Sequence, residues 1–373
     1  MKVVVIIPTY NERENIIVLL TELEAVFKRT KKHAITYLVV DDTSPDGTGE
    51  AVVIYTKTHP HVHLLTGKKE GLGKALLRGM TYAFDKLRAD IVLQMDADLS
   101  HDPNIAPRLL EAIDNGATFA VGSRYIPGGA IPENWGLLRK IYSKVGNFIV
   151  RFGLGHTNVR DWTGGYRAYM KKFYEEIHAD VIQYNGYVFQ IAFLHKALHH
   201  GAKVTEVPFH FTDRLHGHSK IAPAEYIFNI YKYIAISRFE EIVAGSFFKF
   251  LVVGGIGFAL NAILLVIFHN WFRWSPIAAN LFGAAVAIFS NYNLNNLWTF
   301  RKSKIDGIGA YLAKLIQFYV TSLFGVIVIQ TGTIALGVRL LGEHLYFIYF
   351  LLGTALLLIW NYFMYSRVIW KKR

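Results

Sequence analysis

The sequence predicts an α/β domain built on a doubly wound parallel sheet, followed by an all-α domain of four membrane-spanning helices. Three observations carry this. Short apolar runs alternate with helical patterns through about the first 220 residues, and the runs end in polar residues. Four long apolar stretches with almost no interior charge fill residues 246–373. The charge is also divided unevenly. The 373 residues are 52% hydrophobic and 18% charged, with mean hydropathy +0.26 and a formal net charge of +12. Residues 246–373 hold eleven Lys or Arg against two acids, Asp306 and Glu343, a net of +9 that leaves +3 for residues 1–245. A nucleic-acid domain would stripe its bases along a polar face, whereas here the excess lies in the most apolar part, so no nucleic-acid partner is expected. The apolar content excludes a disordered chain. The lack of cysteine excludes a disulfide scaffold, a thiol nucleophile and Cys-ligated zinc or iron–sulfur sites.

In chain order, Val3–Ile7 is β-branched and reads as a buried parallel strand. It meets Pro8 at once, so no N-terminal signal peptide is expected. Asn11 is placed to cap a helix from Glu12 to Phe27, with Glu14 three residues on. Tyr37–Val40 ends in Asp41-Asp42, Ile91–Met95 in Asp96-Ala97-Asp98, and Phe119–Val121 in Gly122-Ser123-Arg124. Helical patterns lie between, as at Gly73–Lys86 and Asn104–Asn115. Ligands bind beyond such strand ends in open α/β sheets. No Walker loop or GxGxxG opens a helix. Asp96 and Asp98, one residue apart, are able to share a hard divalent cation with diphosphate oxygens and so neutralise a leaving nucleoside diphosphate. Alone, such a pair also occurs as solvated loop acids.

Trp135–Phe152 and Pro223–Ile242 mix apolar residues with Arg and Lys, and read as helices lying in a membrane interface or packed on the core. The spans are expected at Phe247–Phe268, Pro276–Leu297, Leu312–Leu336 and Leu345–Tyr365, each near the ~20 residues that cross a ~30 Å hydrocarbon layer. Gly254-Gly255-x-Gly257 suits close helix packing. Nine of the eleven bases fall on one side of the spans, which predicts a cytoplasmic location for residues 1–245, the 301–314 loop and the C-terminus. Trp271, Trp274, Trp298, Trp360 and Trp370 lie at or near span ends.

PTYNERENI, VVDDTSPDGT, GLGKALLRGM, MDADLSHDP, GSRY, DWTGGYRAY and RLHGHSK follow one another in order. Over about residues 1–240 the chain resembles family 2 glycosyltransferases with a GT-A (Rossmann-like) fold, most nearly the polyprenyl-phosphate sugar synthases such as the dolichol-phosphate mannose synthases. The spans resemble the GtrA-like four-helix membrane domain, whose end-of-span-two signature matches Asn291-Tyr292-Asn293-x-x-Asn296-x-Trp298-Thr299-Phe300. The resemblance implies a catalytic domain at 1–220, interface helices or a linker at 221–245 and a membrane domain at 246–373. It implies transfer of mannose from GDP-mannose to dolichyl or polyprenyl phosphate at the bilayer, with inversion and release of GDP. A divalent cation, Mg²⁺ or Mn²⁺, is implied, and no obligatory protein partner.

The resemblance also implies roles. Pro8, Tyr10, Glu12 and Asp42 would hold base and ribose; capping and packing are the other reading of Tyr10 and Glu12. Asp96 and Asp98 would bind the cation, and Ser100 stands where relatives reading DADLQ place a glutamine ligand. Asp98, Arg124 and Arg214 are the catalytic candidates. Arg214 and Lys220 would meet the donor diphosphate from a loop over it, or belong to a plain basic surface loop. Arg124, Arg139 and Ser143 would hold the lipid phosphate. Arg124 also reads as a structural ion pair, and Arg139 with Lys140 and Lys144 as a snorkelling face. The region where many relatives carry a catalytic base reads Asn185–Gln190 and has no carboxylate. That suits a phosphate acceptor, already an anion at pH 7, which needs cations rather than a base. His216 and His218 lack an evident third metal ligand, and His199-His200 reads as a helix end. Three rivals remain: a UDP-glucose or UDP-N-acetylhexosamine donor, a processive polysaccharide synthase, and a lipid-linked sugar flippase. The second lacks its QxxRW segment, and Asp96-Ala97-Asp98 argues against the third as the whole function.

Overall fold

Residues 1–30, 32–213 and 223–371 are described in the computed structural model, and they divide into two units, Met1–Arg238 and Phe239–Arg373. The first unit carries seven strands: β1 (Lys2–Thr9), β2 (Ala34–Asp41), β3 (Val62–Thr66), β4 (Ile91–Gln94), β5 (Phe119–Ser123), β6 (Arg167–Met170) and β7 (Val204–Pro208). They form one sheet in the order β3-β2-β1-β4-β6-β5-β7. Along β1, Val3, Val5 and Ile7 pack into one apolar layer, while Val4 and Ile6 pack into the other. Burial on both faces is why this strand is continuously apolar instead of alternating. The helices are α1 (Arg13–Lys28), α2 (Thr48–Thr56), α3 (Leu72–Thr81), α4 (Ala106–Asp114), α5 (Leu137–Gly153), α6 (Lys171–Val181), α7 (Gly186–His199) and α8 (Pro223–Ala244). Leu19, Leu20 and Leu23 of α1 and Leu109 and Leu110 of α4 cover one face of the sheet, and Leu76 and Met80 of α3 the other, with Phe189 and Phe193 of α7.

Two expectations need correction. The sheet is mixed, because β6 runs antiparallel to both β4 and β5. β6 is four residues long and follows Gly164-Gly165, so it offers no periodicity to read, and pairing on both sides defines it. Asn11 does not cap α1. It takes a left-handed backbone (φ 61), which Asn tolerates, and Glu12 occupies the N-cap position without a side-chain cap. The first amides find oxygens elsewhere: Asn11 N–H donates to Ser44 Oγ (3.0 Å), Glu12 N–H to Thr48 Oγ1 (3.0 Å) and Arg13 N–H to Asp46 Oδ2 (3.1 Å). The β2–α2 loop thus supplies the acceptors that the helix start lacks.

The second unit holds four helical segments long and apolar enough to cross a membrane: Ser246–Asn270, Pro276–Thr299, Ile308–Leu341 and Ile348–Ile369. They are built from α9 (Ser246–Asn270), α10 (Pro276–Leu294), α11 (Ile308–Phe324) joined to α12 (Thr331–Leu341), and α13 (Tyr346–Met364). The third is longer than expected, 34 residues, because a π-helical turn at Gly325–Gln330 links α11 and α12 without a break. Outward apolar side chains such as Phe258, 78% exposed, and Leu281 are what lipid would cover. One end is tied by the buried Asn296. Its Oδ1 accepts from Ile305 N–H (2.8 Å) and Trp370 Nε1–H (2.9 Å), and its Nδ2 donates to the Ile305 carbonyl (3.2 Å).

Candidate active site

Because β1, β2 and β4 are parallel and β6 reverses direction before β5, the C-terminal ends of β2, β1, β4 and β5 share one edge of the sheet. At the β1–β2 end, Asp41 is structural. Its Oδ1 accepts from the hydroxyls of Thr9 (3.0 Å) and Ser44 (2.6 Å). Asp42 beside it is buried and paired with the Arg78 guanidinium. Lys69 Nζ sits 3.4 Å from the centre of the Tyr10 ring, a cation–π contact, and Glu12 Oε2 accepts from Asn15 Nδ2 (2.8 Å). Pro8, Tyr10, Glu12 and Asp42 therefore gather at adjacent strand ends.

After β4, the two acids differ in setting. The Asp96 side chain is 35% exposed, whereas Asp98 is 3% exposed. The Ser100 hydroxyl and N–H both donate to Asp98 Oδ1, at 2.6 and 3.1 Å. Ser100 is itself fully buried, so it stands against the Asp98 carboxylate. Gly165 leaves room beside Asp96, where a Cβ would lie 3.2 Å from Oδ1. The Asp96 N–H donates to His101 Nδ1 (3.0 Å), so that nitrogen carries no proton and the other, 3.9 Å from Asp96 Oδ2, does when the ring is neutral. Burial lowers the His101 pKa and overrides the neighbouring Asp96 and Asp98 charges, which keeps the ring neutral. It stacks on Tyr166 at 4.7 Å.

Arg124 follows β5 and forms the ion pair that its position allowed. Nε and Nη2 reach the two Asp161 oxygens at 2.7 Å each, and Nη2 also donates to Thr163 Oγ1 (2.9 Å). Burial lowers the pKa of Arg124, but the Asp161 charge outweighs this and holds it above the ordinary value. Beneath lies Arg167, fully buried and held by three carbonyls: Gly164 (2.8 Å), Gln190 (2.6 Å) and Trp162 (2.8 Å). Burial pulls its pKa down to about 10, so it stays charged at neutral pH. Both guanidiniums interact electrostatically with the buried Asp161, whose N–H is held by Glu206 Oε1 (2.9 Å).

Asp96, Arg124, Arg139 and Ser143 line one cavity of about 620 Å³ with His101 and Thr163. Apolar residues complete the lining, including Leu138, Val145 and Ile149 of α5 and Ile227 and Ile230 of α8. Arg139 is tethered, with Nη1 3.3 Å from Asp213 Oδ1 and its guanidinium 3.8 Å from the Trp135 ring centre. Tyr125 and Ser143 share a hydroxyl hydrogen bond. Asn185 opens α7, accepting from Gly73 N–H (2.9 Å). Asp98 is buried at the β4 end and is not among the cavity-lining residues. Arg214 and Lys220, with His216 and His218, lie outside the described residues. Asp161, His101 and Arg167 are the groups that sequence reasoning missed. DWTGGYRAY and MDADLSHDP contain them, but Asp161 pairs with Arg124, 37 residues away, and the local bonds of His101 and Arg167 to backbone groups carry no sequence signal.

Two protein families match: Glycosyl transferase family 2 over residues 4–178, and GtrA/DPMS, transmembrane domain over residues 249–370. A dolichol-phosphate mannosyltransferase of Pyrococcus furiosus is 34% identical over 337 residues, 88% of this chain and 88% of that protein. A polyprenol monophosphomannose synthase of Mycolicibacterium smegmatis is 40% identical over 223 residues, 59% of this chain and 81% of its own. Among solved structures, mannosyl-3-phosphoglycerate synthase from Rubrobacter xylanophilus is 19% identical, with a TM-score of 0.47 over 65% of this chain and 74% of that one. The chain belongs to the dolichol-phosphate mannosyltransferases, integral membrane enzymes of glycosyltransferase family 2 that join a GT-A catalytic domain to a GtrA/DPMS transmembrane domain.

Proposed function

We propose that the protein transfers one mannose from GDP-mannose to dolichyl or another polyprenyl phosphate, releasing GDP with inversion at C1. The observation that carries this is the cavity's mixed lining: Asp96, Arg124 and Arg139 together with apolar residues of α5 and α8. A phosphate with a long isoprenoid tail has the same mixed character. Exposed Leu137, at 74%, with Phe148 and Phe228, gives α5 and α8 apolar surface that a bilayer interface would cover.

The carboxylates of Asp96 and Asp98 suit a hard cation, Mg²⁺ or Mn²⁺, and both follow the same strand end. When bound, such an ion offsets the charge of the departing diphosphate. Ser100 would fix the Asp98 carboxylate from behind. Pro8, Tyr10, Glu12 and Asp42 would take the nucleoside. Arg124, aligned by Asp161, would face the acceptor phosphate with Arg139 and Ser143. Arg214 and Lys220 would approach the leaving diphosphate. No general base is needed, because the attacking oxygen is already ionised. The clustered bases of the membrane domain support a cytoplasmic catalytic domain and C-terminus.

The test is to incubate membranes containing the protein with labelled GDP-mannose or UDP-glucose, polyprenyl phosphate, and Mn²⁺, Mg²⁺ or chelator. Label should enter lipid from GDP-mannose alone and only with a divalent ion. Lipid-linked label from UDP-glucose but not GDP-mannose would overturn the donor, and full activity in chelator would overturn the ion.

A further inference from the structure

Away from the cavity, three histidines converge. His195 and His199 are one turn apart on α7, and their Nε2 atoms lie 3.1 Å apart. His156, in the turn after α5, faces both, with ring centroids 5.5 Å from each. One nitrogen from each of the three falls within 4.8 Å of the other two. Tyr233 of α8 lies 2.9 Å from His195 Nδ1 through its hydroxyl.

We infer that His156, His195 and His199 form a binding site for a borderline transition-metal ion, best matched by Zn²⁺, which fastens α5 and α8 to α7. A tetrahedral zinc with bonds of about 2.0–2.1 Å needs its nitrogens about 3.4 Å apart. The α7 pair is already within a few tenths of an ångström of that, and His156 reaches it by a small side-chain movement. With Nδ1 hydrogen-bonded to Tyr233, His195 presents Nε2, the nitrogen that faces His199. Such an outer partner fixes both tautomer and ring orientation at metal sites. An all-imidazole set selects Zn²⁺, Ni²⁺ or Cu²⁺ over Mg²⁺, which takes oxygen. The site therefore does not compete for the cation expected at Asp96 and Asp98. His199 is exposed and His156 half-buried, which gives the ion a way in and leaves a fourth position for water.

The placement gives the ion a structural task. α5 and α8 supply apolar lining of the cavity. A bond from His156 at the end of α5 to α7, backed by Tyr233 of α8, would hold that lining in register with the sheet.

The experiment uses the full-length protein in detergent, stripped with chelator, then titrated with Zn²⁺ under excess Mg²⁺ so that carboxylate sites stay occupied. One equivalent of zinc should bind and raise the unfolding temperature, and Co²⁺ should give the visible absorption of a tetrahedral nitrogen site. His199→Gln and His156→Gln should each weaken zinc binding at least tenfold, and Tyr233→Phe by about tenfold. Mannosyl transfer with Mg²⁺ should persist in His199→Gln. His195 is buried and its variant risks misfolding, so the two more exposed histidines decide the matter. Absence of tight zinc binding, or binding unchanged in both glutamine variants, overturns the inference; the latter would move the ion elsewhere, for example to His216 and His218.

Discussion

The two units solve the same problem, where to put polar groups, in opposite ways. The catalytic unit buries charge: Arg124, Asp161, Arg167 and Asp98 all lie at the working edge of its sheet. The membrane unit from residue 246 onward has two acids in all, and its described buried polar residues are the uncharged Asn295, Asn296, Thr299 and Thr321. The difference follows from the surroundings. A sheet covered by helices on both faces is able to aim several backbone groups at one guanidinium, as at Arg167. A helix in lipid has already spent its backbone groups on itself, so a buried charge there would go unsatisfied. Buried charge is thus confined to the first unit, among the described residues.

Substitutions can break this comparison. The largest effect is expected at Asp98→Ala, which should lower mannosyl transfer by about 10³-fold or more while the spans still insert. Labelled-lipid formation and membrane extraction check both halves; retained transfer would remove Asp98 from the chemistry. Asp161→Ala should come next. It strands Arg124 without its carboxylate, and breaking a buried pair costs about 3–5 kcal/mol. Urea unfolding should show near-UV dichroism of the catalytic unit lost at lower urea, with the far-UV helical signal of the spans retained.

Acid tests the same contrast without mutation. Asp161 is held below its ordinary value of 3.8 because the Arg124 charge outweighs burial. Asp46, hydrogen-bonded by Thr48 and Arg13, and Asp114, bonded by Lys32 and His33, are also lowered despite partial burial. Groups with folded values below their unfolded ones stabilise the fold above pH 3.8, and that stability is lost as pH falls through the folded values. The membrane unit's Lys304–Asp306 pair is exposed and worth little. Below pH 3.8 the catalytic unit should lose its packing first. Simultaneous loss of both units would show them to be one cooperative block.

Smaller effects sharpen the picture. Asn296→Ala removes the acceptor shared by Ile305 and Trp370 and should cost about 1–3 kcal/mol in the membrane unit. Trp370 fluorescence in detergent should report it, with transfer to a short soluble acceptor unchanged. Arg139→Ala should raise KM for the lipid phosphate about tenfold, roughly 1.4 kcal/mol, and leave the donor's KM alone. An equal rise in both would reduce Arg139 to a packing residue.

Much of this was legible in the residues. Runs such as Val3–Ile7 read as buried strands, and four long stretches with almost no interior charge read as spans rather than buried core helices. Asp96 and Asp98 stood out through their setting, a strand end among PTYNERENI and VVDDTSPDGT, since such a pair alone also occurs as solvated loop acids. Less was visible where a role depends on a distant partner. Asn11 looked like a cap, yet its own amide and those of Glu12 and Arg13 are met by Ser44, Thr48 and Asp46, more than thirty residues away.

The sequence by itself determined the two-module plan, the strand-end acids and the four spans, because periodicity, hydropathy and charge are local quantities. Tertiary structure decided that β6 runs against its neighbours, that Arg124 is aligned by Asp161 while Arg167 rests on carbonyls, and that three histidines from two segments meet. Each of these depends on which chain segments lie side by side, and a partner brought near by folding leaves no periodic trace in the residues themselves.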